Sequence, residues 1–318
     1  MIVPASEQWI ARAAEALLAG QLVAFPTETV YGLGADAGDG IAVASIFEVK
    51  GRPRFNPLII HIRDQAMAER CAILSDSAQR LADAFWPGAL TIVTAKREGA
   101  EIADLATAGL DTIALRVPDH DIAQALLERT KLPIAAPSAN RSGHVSPTLA
   151  QHVADDLGDG PAMILDGGPS LRGIESTVID TSGERPALLR PGAVPREAIE
   201  DLLGAKLASA ASGAKITSPG QLESHYAPRA KLRLNAANAG GTDALLAFGP
   251  DIPPGFAHIQ NLSSAGDLRE AAANLFKALR ALDATGAETI AVMPIPNEGL
   301  GEAINDRLNR AVAQPDAQ

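Results

Sequence analysis

Leu22-Val23-Ala24-Phe25-Pro26-Thr27-Glu28-Thr29-Val30-Tyr31-Gly32-Leu33-Gly34 decides the fold. Four apolar residues stop at a proline, the mark of a short buried strand, and a loop of hydroxyls with two glycines follows. Open α/β sheets bind ligands in loops at the carboxyl ends of strands, and glycine lets backbone approach closely. Taken alone, the loop would also serve as a tight polar turn. It is no dinucleotide fingerprint, because the third glycine, Gly38, comes one residue late and no helix starts on cue. Upstream, Ser6 is placed to cap a helix over 9–18 that Gly20 stops. Downstream the same grammar predicts helices over 41–49, 77–85, 121–129, 149–157 and 196–203. Strands are predicted at 58–62, 90–95, 112–117, 133–136, 163–165, 178–180 and 187–189. This interleaving gives an α/β or α+β class with one extended sheet. Residues 204–221, rich in Ala, Ser, Gly, Lys and Thr and closed by Pro219-Gly220, read as a linker. Beyond it, strands at 232–234, 244–248 and 289–293 with helices at 268–282 and 303–312 describe a smaller Rossmann-like α/β unit.

A chain of 318 residues fits two domains or one large one, and can bury a core without disulfides or metals. Hydrophobic residues at 47%, charged at 20% and aromatic at 3% exclude disorder, collagen and coiled coil. With 27 Lys and Arg against 38 Asp and Glu, the net charge of -11 rules out a surface that is polyanion-binding throughout. Any phosphate contact must be local. The single cysteine, Cys71, sits at a helix packing position and points to a reducing compartment. The start shows no basic leader, and no run reaches about 18 apolar residues, so a cytoplasmic protein that neither crosses a membrane nor leaves the cell is expected.

Further loops carry residues that suit neither a core nor a plain turn. Lys50-Gly51-Arg52-Pro53-Arg54-Phe55-Asn56-Pro57-Leu58 holds three cations within five residues on a constrained backbone, a focus able to neutralise phosphate, with His61 in the strand behind it. Arg116 ends an apolar strand and offers a planar fork for carboxylate or phosphate. Pro137-Ser138-Ala139-Asn140-Arg141-Ser142-Gly143, with Ser146, suits an oxyanion or phosphate. Ser176 and Arg190 add a hydroxyl and a cation at strand margins. There is no Gly-x4-Gly-Lys-Ser/Thr loop, Gly-x-Ser-x-Gly elbow or His-x-x-x-His pair. A pocket rich in cations and hydroxyls fits a nucleotide with a small carboxylate better than acid/base hydrolysis.

These loops, in order, resemble the YrdC-type domain of threonylcarbamoyl-AMP synthases: Pro26 to Leu33, Lys50-Gly51-Arg52-Pro53 with Pro57-Leu58 and His61, Trp86-Pro87-Gly88, Leu115-Arg116-Val117-Pro118, Pro137-Ser138-Ala139-Asn140, Glu175-Ser176-Thr177 and Leu189-Arg190-Pro191-Gly192. Ser218-Pro219-Gly220 and His225-Tyr226-Ala227-Pro228 resemble the longer, two-domain form. The resemblance implies a twisted mixed sheet with flanking helices at 9–197, a linker or lid at 198–229 and a Rossmann-like domain at 230–318. It also implies the conversion of L-threonine, bicarbonate or CO2, and ATP into L-threonylcarbamoyl-adenylate and pyrophosphate. The product would pass to a separate tRNA threonylcarbamoyltransferase that makes N6-threonylcarbamoyladenosine.

Carried over by motif, Thr29, His61, Arg116, Ala136 and Ser176 would hold threonine. Arg52, Asn56, Thr112, Ser138, Ser146, Arg190 and Tyr226 would contact ATP, with Asn56 in a variable part of its loop. Lys50 and Arg52 would act on the phosphates, Mg2+ would arrive with ATP, and no protein-bound metal is expected. The linker would bring Tyr226 over the pocket as a lid. Strong direct binding of nucleic acid is not expected from the charge balance. The competing reading is a non-catalytic RNA-binding module using the Lys50–Arg54 patch, which the acidic balance and scarce aromatics oppose. A binding-only paralogue is opposed by the completeness of the motifs. A hydrogenase-maturation carbamoyl-adenylate former would carry acylphosphatase and zinc-finger segments that this sequence lacks.

Overall fold

The computed structural model describes residues 1–209, 225–236, 238 and 244–313. The first unit runs β1 (Ile2–Pro4), α1 (Glu7–Leu18), β2 (Val23–Phe25), β3 (Gly32–Asp36), α2 (Gly40–Lys50), β4 (Ile59–His61), α3 (Gln65–Cys71), β5 (Ala72–Ile73), α4 (Asp76–Phe85) and β6 (Leu90–Lys96). It continues with β7 (Thr112–Arg116), α5 (Asp121–Thr130), β8 (Ile134–Ala135), α6 (Ala150–Leu157), β9 (Met163–Asp166), β10 (Thr177–Asp180), β11 (Ala187–Arg190), α7 (Arg196–Leu203) and β12 (Ala208–Ser209). The strands form one mixed sheet in the order β1-β9-β2-β3-β8-β4-β7-β6-β10-β11-β12, with β5 against β6. Helices bury apolar side chains against both faces. Ile46, Phe47, Ile60, Leu81 and Leu115 share the larger core, while Ile10 and Leu17 of α1 and Leu126 and Leu127 of α5 close over Phe25.

Local chemistry sets the boundaries that matter. Ser6 accepts from the Trp9 amide at the start of α1, as its position before the apolar run predicts. Asp39 accepts from the Ile41 and Ala42 amides to start α2. That helix ends at Gly51, whose φ of 59° is the left-handed cap glycine adopts without strain. The turn leaves Lys50 on the last helical residue and aims the chain into Arg52.

The second unit has β13 (Lys231–Arg233), β14 (Ala244–Ala247), β15 (His258–Asn261), α8 (Leu268–Asp283), β16 (Thr289–Val292) and α9 (Leu300–Val312). Its strands are all parallel, in the order β13-β16-β14-β15. Apolar residues of α8 recur at helical spacing, with Ala272, Leu275, Phe276, Leu279 and Leu282 facing the core. Val30, Ala89, Val145, Ile174 and Ala193 of the first unit lie in the same buried cluster as Phe276 and Ile304. The two units therefore share a core.

The sequence reading and the structure part in a few places. Gly32 and Gly34 belong to strand β3, not to a turn. A Cβ on Gly34 would stand 2.7 Å from the Phe25 ring, so this glycine allows close packing instead of bending the chain. Strand β1 and the largely exposed β15 lack the apolar alternation that marks a strand. The predicted linker starts with Gly204 capping α7 and then contributes β12, which pairs with β11. Residues 210–224, with Ser218-Pro219-Gly220 and most of the expected lid, lie outside the described residues.

Candidate functional site

Parallel pairing of β4 with β7 sets Ile59 beside Ala114 and His61 beside Arg116. Side chains alternate along strands, so these four share a face, and that face is the floor of a cleft of ≈ 540 Å³ of empty space, part of it open to solvent. Around the floor stand the β2–β3 loop with Thr27 and Thr29, Arg52 from the loop after α2, and Ala136, Pro137 and Ser138 after β8. Glu175 and Ser176 before β10, Arg190 ending β11, and His225 with Tyr226 on the approach to β13 complete it.

Arg116 is 3% exposed. Its Nη1 donates to Thr29 Oγ1 at 2.8 Å and its Nε to the Gly88 carbonyl at 3.1 Å. Nη2 lies 2.6 Å from Glu28 Oε1, out of line for a hydrogen bond, so charge alone holds this pair. Thr29 in turn shares a hydrogen bond with Thr27 (2.8 Å), and Ser176 shares one with Thr91 (2.7 Å). Gly192 has no Cβ for a reason: one would lie 2.4 Å from the backbone of Ser176 and Thr177. This close approach lets Arg190 reach the Ser176 carbonyl with Nε and Nη2, and the Ser176 hydroxyl with Nη2.

Arg52 donates to the carbonyls of Asn56 (3.3 Å) and Pro57 (2.9 Å). Burial, and the Arg190 charge, pull its pKa down to about 10. Among the described residues no carboxylate pairs with it, so its charge stands ready for an anion. Lys50 is placed otherwise than its motif implies. Its ammonium donates to the carbonyls of Ser138 (2.6 Å) and Asn140, behind the cleft wall, and burial drives its pKa well below the lysine range. Lysine there fixes the loop that presents Ser138. Asn56, Thr112 and Ser146 also lie outside the cleft lining. The Asn56 amide is buried with no hydrogen-bond partner among the described residues, and Thr112 sits at the far end of β7 from Arg116. Ser146 gives its hydroxyl to Glu175 Oε1.

Glu28, Glu175 and His225 had no role in the sequence reading, although each lies in or beside a quoted motif. Burial alone would raise the Glu175 pKa, but the charges of Arg307 and Arg190 and the Ser146 hydrogen bond hold it below the usual range. The histidines move the other way. Burial and Arg116 press His61 to about 3, and burial with Arg52, Lys50, Arg190 and Arg307 presses His225 well below 6.5. Both are neutral in the native state at neutral pH. An unfolded chain binds protons on them below pH ~6.5 while the native one does not, so stability rises with pH through that window. Acidification from pH 6.5 toward 4 is expected to cost at most about 1.4 kcal/mol per pH unit for each buried neutral histidine. Thermal midpoints measured across that range check this, and a flat profile contradicts it.

Among the described residues no helix is long and apolar enough to cross a membrane, and no group of three or more His, Cys, Asp or Glu is placed to hold a metal ion. The cleft itself presents cations and hydroxyls, a donor set for anions. Comparison with known proteins agrees with this chemistry. The family model described as "Telomere recombination" (Sua5/YciO/YrdC) matches residues 15–192, and that of the "Threonylcarbamoyl-AMP synthase, C-terminal domain" matches residues 194–313. A threonylcarbamoyl-AMP synthase of Pyrococcus abyssi is 43% identical over 96% of this chain and 94% of its own length. One from Bacillus subtilis is 41% identical over 95% and 92%. The crystal structure of P. abyssi Sua5 complexed with L-threonine superposes with a TM-score of 0.90 at 40% identity, over 98% of this chain and 97% of that one. In sequence, in fold and in the order of its two units, this chain belongs to the threonylcarbamoyl-AMP synthase family.

Proposed function

We propose that the protein makes L-threonylcarbamoyl-adenylate from L-threonine, bicarbonate or CO2, and ATP, releasing pyrophosphate. The observation that carries this reading is the single cleft that sets Arg116, Thr29, His61 and Ser176 beside Arg52, Arg190, Ser138 and Tyr226. The first group suits an amino acid: Arg116 for the carboxylate, hydroxyls for the side chain, and Ala136 in the wall. The second suits a triphosphate, with two buried guanidinium groups to take up its charge.

Bicarbonate takes up a proton and gives CO2 with loss of water; the threonine amine adds to CO2 and releases a proton to become a carbamate, and a carbamate oxygen then attacks the α-phosphorus as pyrophosphate departs in line. The carbamate is a weak nucleophile, so the site contributes orientation and charge stabilisation more than a strong base. Arg52 and Arg190 offset the charge that develops on the leaving pyrophosphate. Lys50 acts from behind by fixing Ser138. Mg2+ enters on ATP as part of the substrate. Both carbamate and acyl-phosphate product hydrolyse readily, which favours a cleft covered by His225 and Tyr226. The product passes to a transferase acting on tRNA, and the net charge of -11 fits an enzyme that does not itself grip tRNA. The unpaired Cys71 fits work in the cytoplasm.

Pyrophosphate release by the purified protein, with ATP, bicarbonate and threonine each omitted in turn, tests the reading. Release is expected only with all three present; release indifferent to threonine contradicts it. Salt-sensitive tRNA binding without turnover would favour an RNA-binding module instead.

A further inference from the structure

Arg307, on helix α9 of the second unit, is fully buried, and its guanidinium reaches across to two residues that line the cleft, Glu175 and Tyr226. Its Nε donates to Glu175 Oε2 at 2.9 Å and its Nη2 to the Pro191 carbonyl at 3.0 Å. Its Nη1 is tied to Asp306 on its own helix. Its Cζ lies over the Tyr226 ring, 5.0 Å from the centroid, and Phe276 stacks on the same ring with centroids 5.7 Å apart. Tyr226 needs such support, because its φ of 66° is a left-handed conformation that costs a non-glycine residue free energy.

A second arginine of the same unit converges on this point. Arg280 of α8 pairs with Asp156 at 2.6 Å and donates to the carbonyls of Val145 and, at 3.4 Å, Ser146. Ser146 is thus held at its carbonyl by Arg280 and at its hydroxyl by Glu175, which Arg307 holds. A guanidinium spent only on joining two units would not need full burial beside two residues that line the cleft, since Arg196 and Glu302 already tie the units at a more exposed place.

We infer that Arg307 is a positioning residue for the nucleotide end of the cleft: it fixes Glu175 and the ring of Tyr226, so the second unit completes the ATP site of the first. This rests on the synthase reading above. Of the residues at the threonine end, Ser176 follows Glu175 in the chain, while Arg116, Thr29 and His61 have no contact with Arg307 among the described residues, so threonine affinity should depend on it far less than ATP affinity.

Equilibrium binding of ATP and of threonine, measured separately for the full chain and for Arg307→Lys, tests the inference. Lysine keeps a positive charge for Glu175 and loses both the fork to Pro191 and the flat face over Tyr226. ATP affinity is expected to fall at least tenfold while threonine affinity stays within twofold and the thermal midpoint moves little. Should Arg307→Lys fail to fold, the double variant Arg307→Met with Glu175→Gln removes the pair without stranding a charge, and the same selective loss is expected. Unchanged ATP affinity in both Arg307→Lys and the double variant, or an equal loss for both ligands, overturns the inference. Absence of threonine-dependent pyrophosphate release from the unaltered protein would instead strike the synthase reading, and leaves the binding comparison legible.

Discussion

Arg116→Ala should raise the threonine concentration for half-maximal pyrophosphate release by about 100-fold or more, and leave the ATP requirement within a few-fold of the parent. A bidentate guanidinium–carboxylate contact contributes roughly 1.5–3 kcal/mol per charge-assisted hydrogen bond, and about 1.4 kcal/mol is a factor of ten. The same change strands Glu28, which is 3% exposed and whose carboxylate has no hydrogen-bond donor among the described residues. Removing one partner of a buried ion pair costs about 3–5 kcal/mol, so a drop in thermal midpoint on the order of 10 °C should accompany the kinetic defect. Glu28→Gln in the Arg116→Ala background separates the two effects. It should recover much of the stability and none of the threonine affinity. Recovery of both would mean that Arg116 serves the fold and not the substrate.

Arg52→Ala should lower kcat/KM for ATP by about 100- to 1,000-fold, from the loss of two charge-assisted hydrogen bonds to phosphate. Threonine binding measured directly should be nearly unaffected. Arg52→Lys should behave almost as badly, because the guanidinium fork is anchored to the Asn56 and Pro57 carbonyls while it faces the cleft, and an ammonium cannot do both. A lysine variant with parental ATP kinetics would show that a point charge suffices and that the anchored fork is incidental.

How much of this was legible in the chain can be judged residue by residue. Helices α1, α2, α5 and α8 announce themselves through cap residues and apolar spacing, which are local signals. Strand β3 does not, since Gly32 and Gly34 have the composition of a turn and their purpose, close packing against Phe25 and Ile134, exists only once the sheet is assembled. The cleft shows the same division. Thr29, Arg52, His61, Arg116, Ser138, Ser176, Arg190 and Tyr226 stand in quoted loops and do converge. Lys50 looks like another phosphate cation because sequence reveals its charge and not its direction, and as the last residue of α2 it sends its Nζ to the carbonyls of Ser138 and Asn140. Arg307 gave no signal at all. Between Asp306 and Arg310 it has the look of a solvated helical face, and only the docking of α9 beside Glu175 gives it a role.

The proposed reaction joins threonine, one carbon of bicarbonate and AMP into a single product in one cleft. The full chain incubated with ATP, threonine and carbon-13 bicarbonate, with the product analysed by mass spectrometry at early times, tests this most directly. The expected product is an adenylate that carries threonine and one labelled carbon, formed together with pyrophosphate. An unlabelled threonyl-adenylate, or AMP and pyrophosphate formed equally well without threonine, would contradict it.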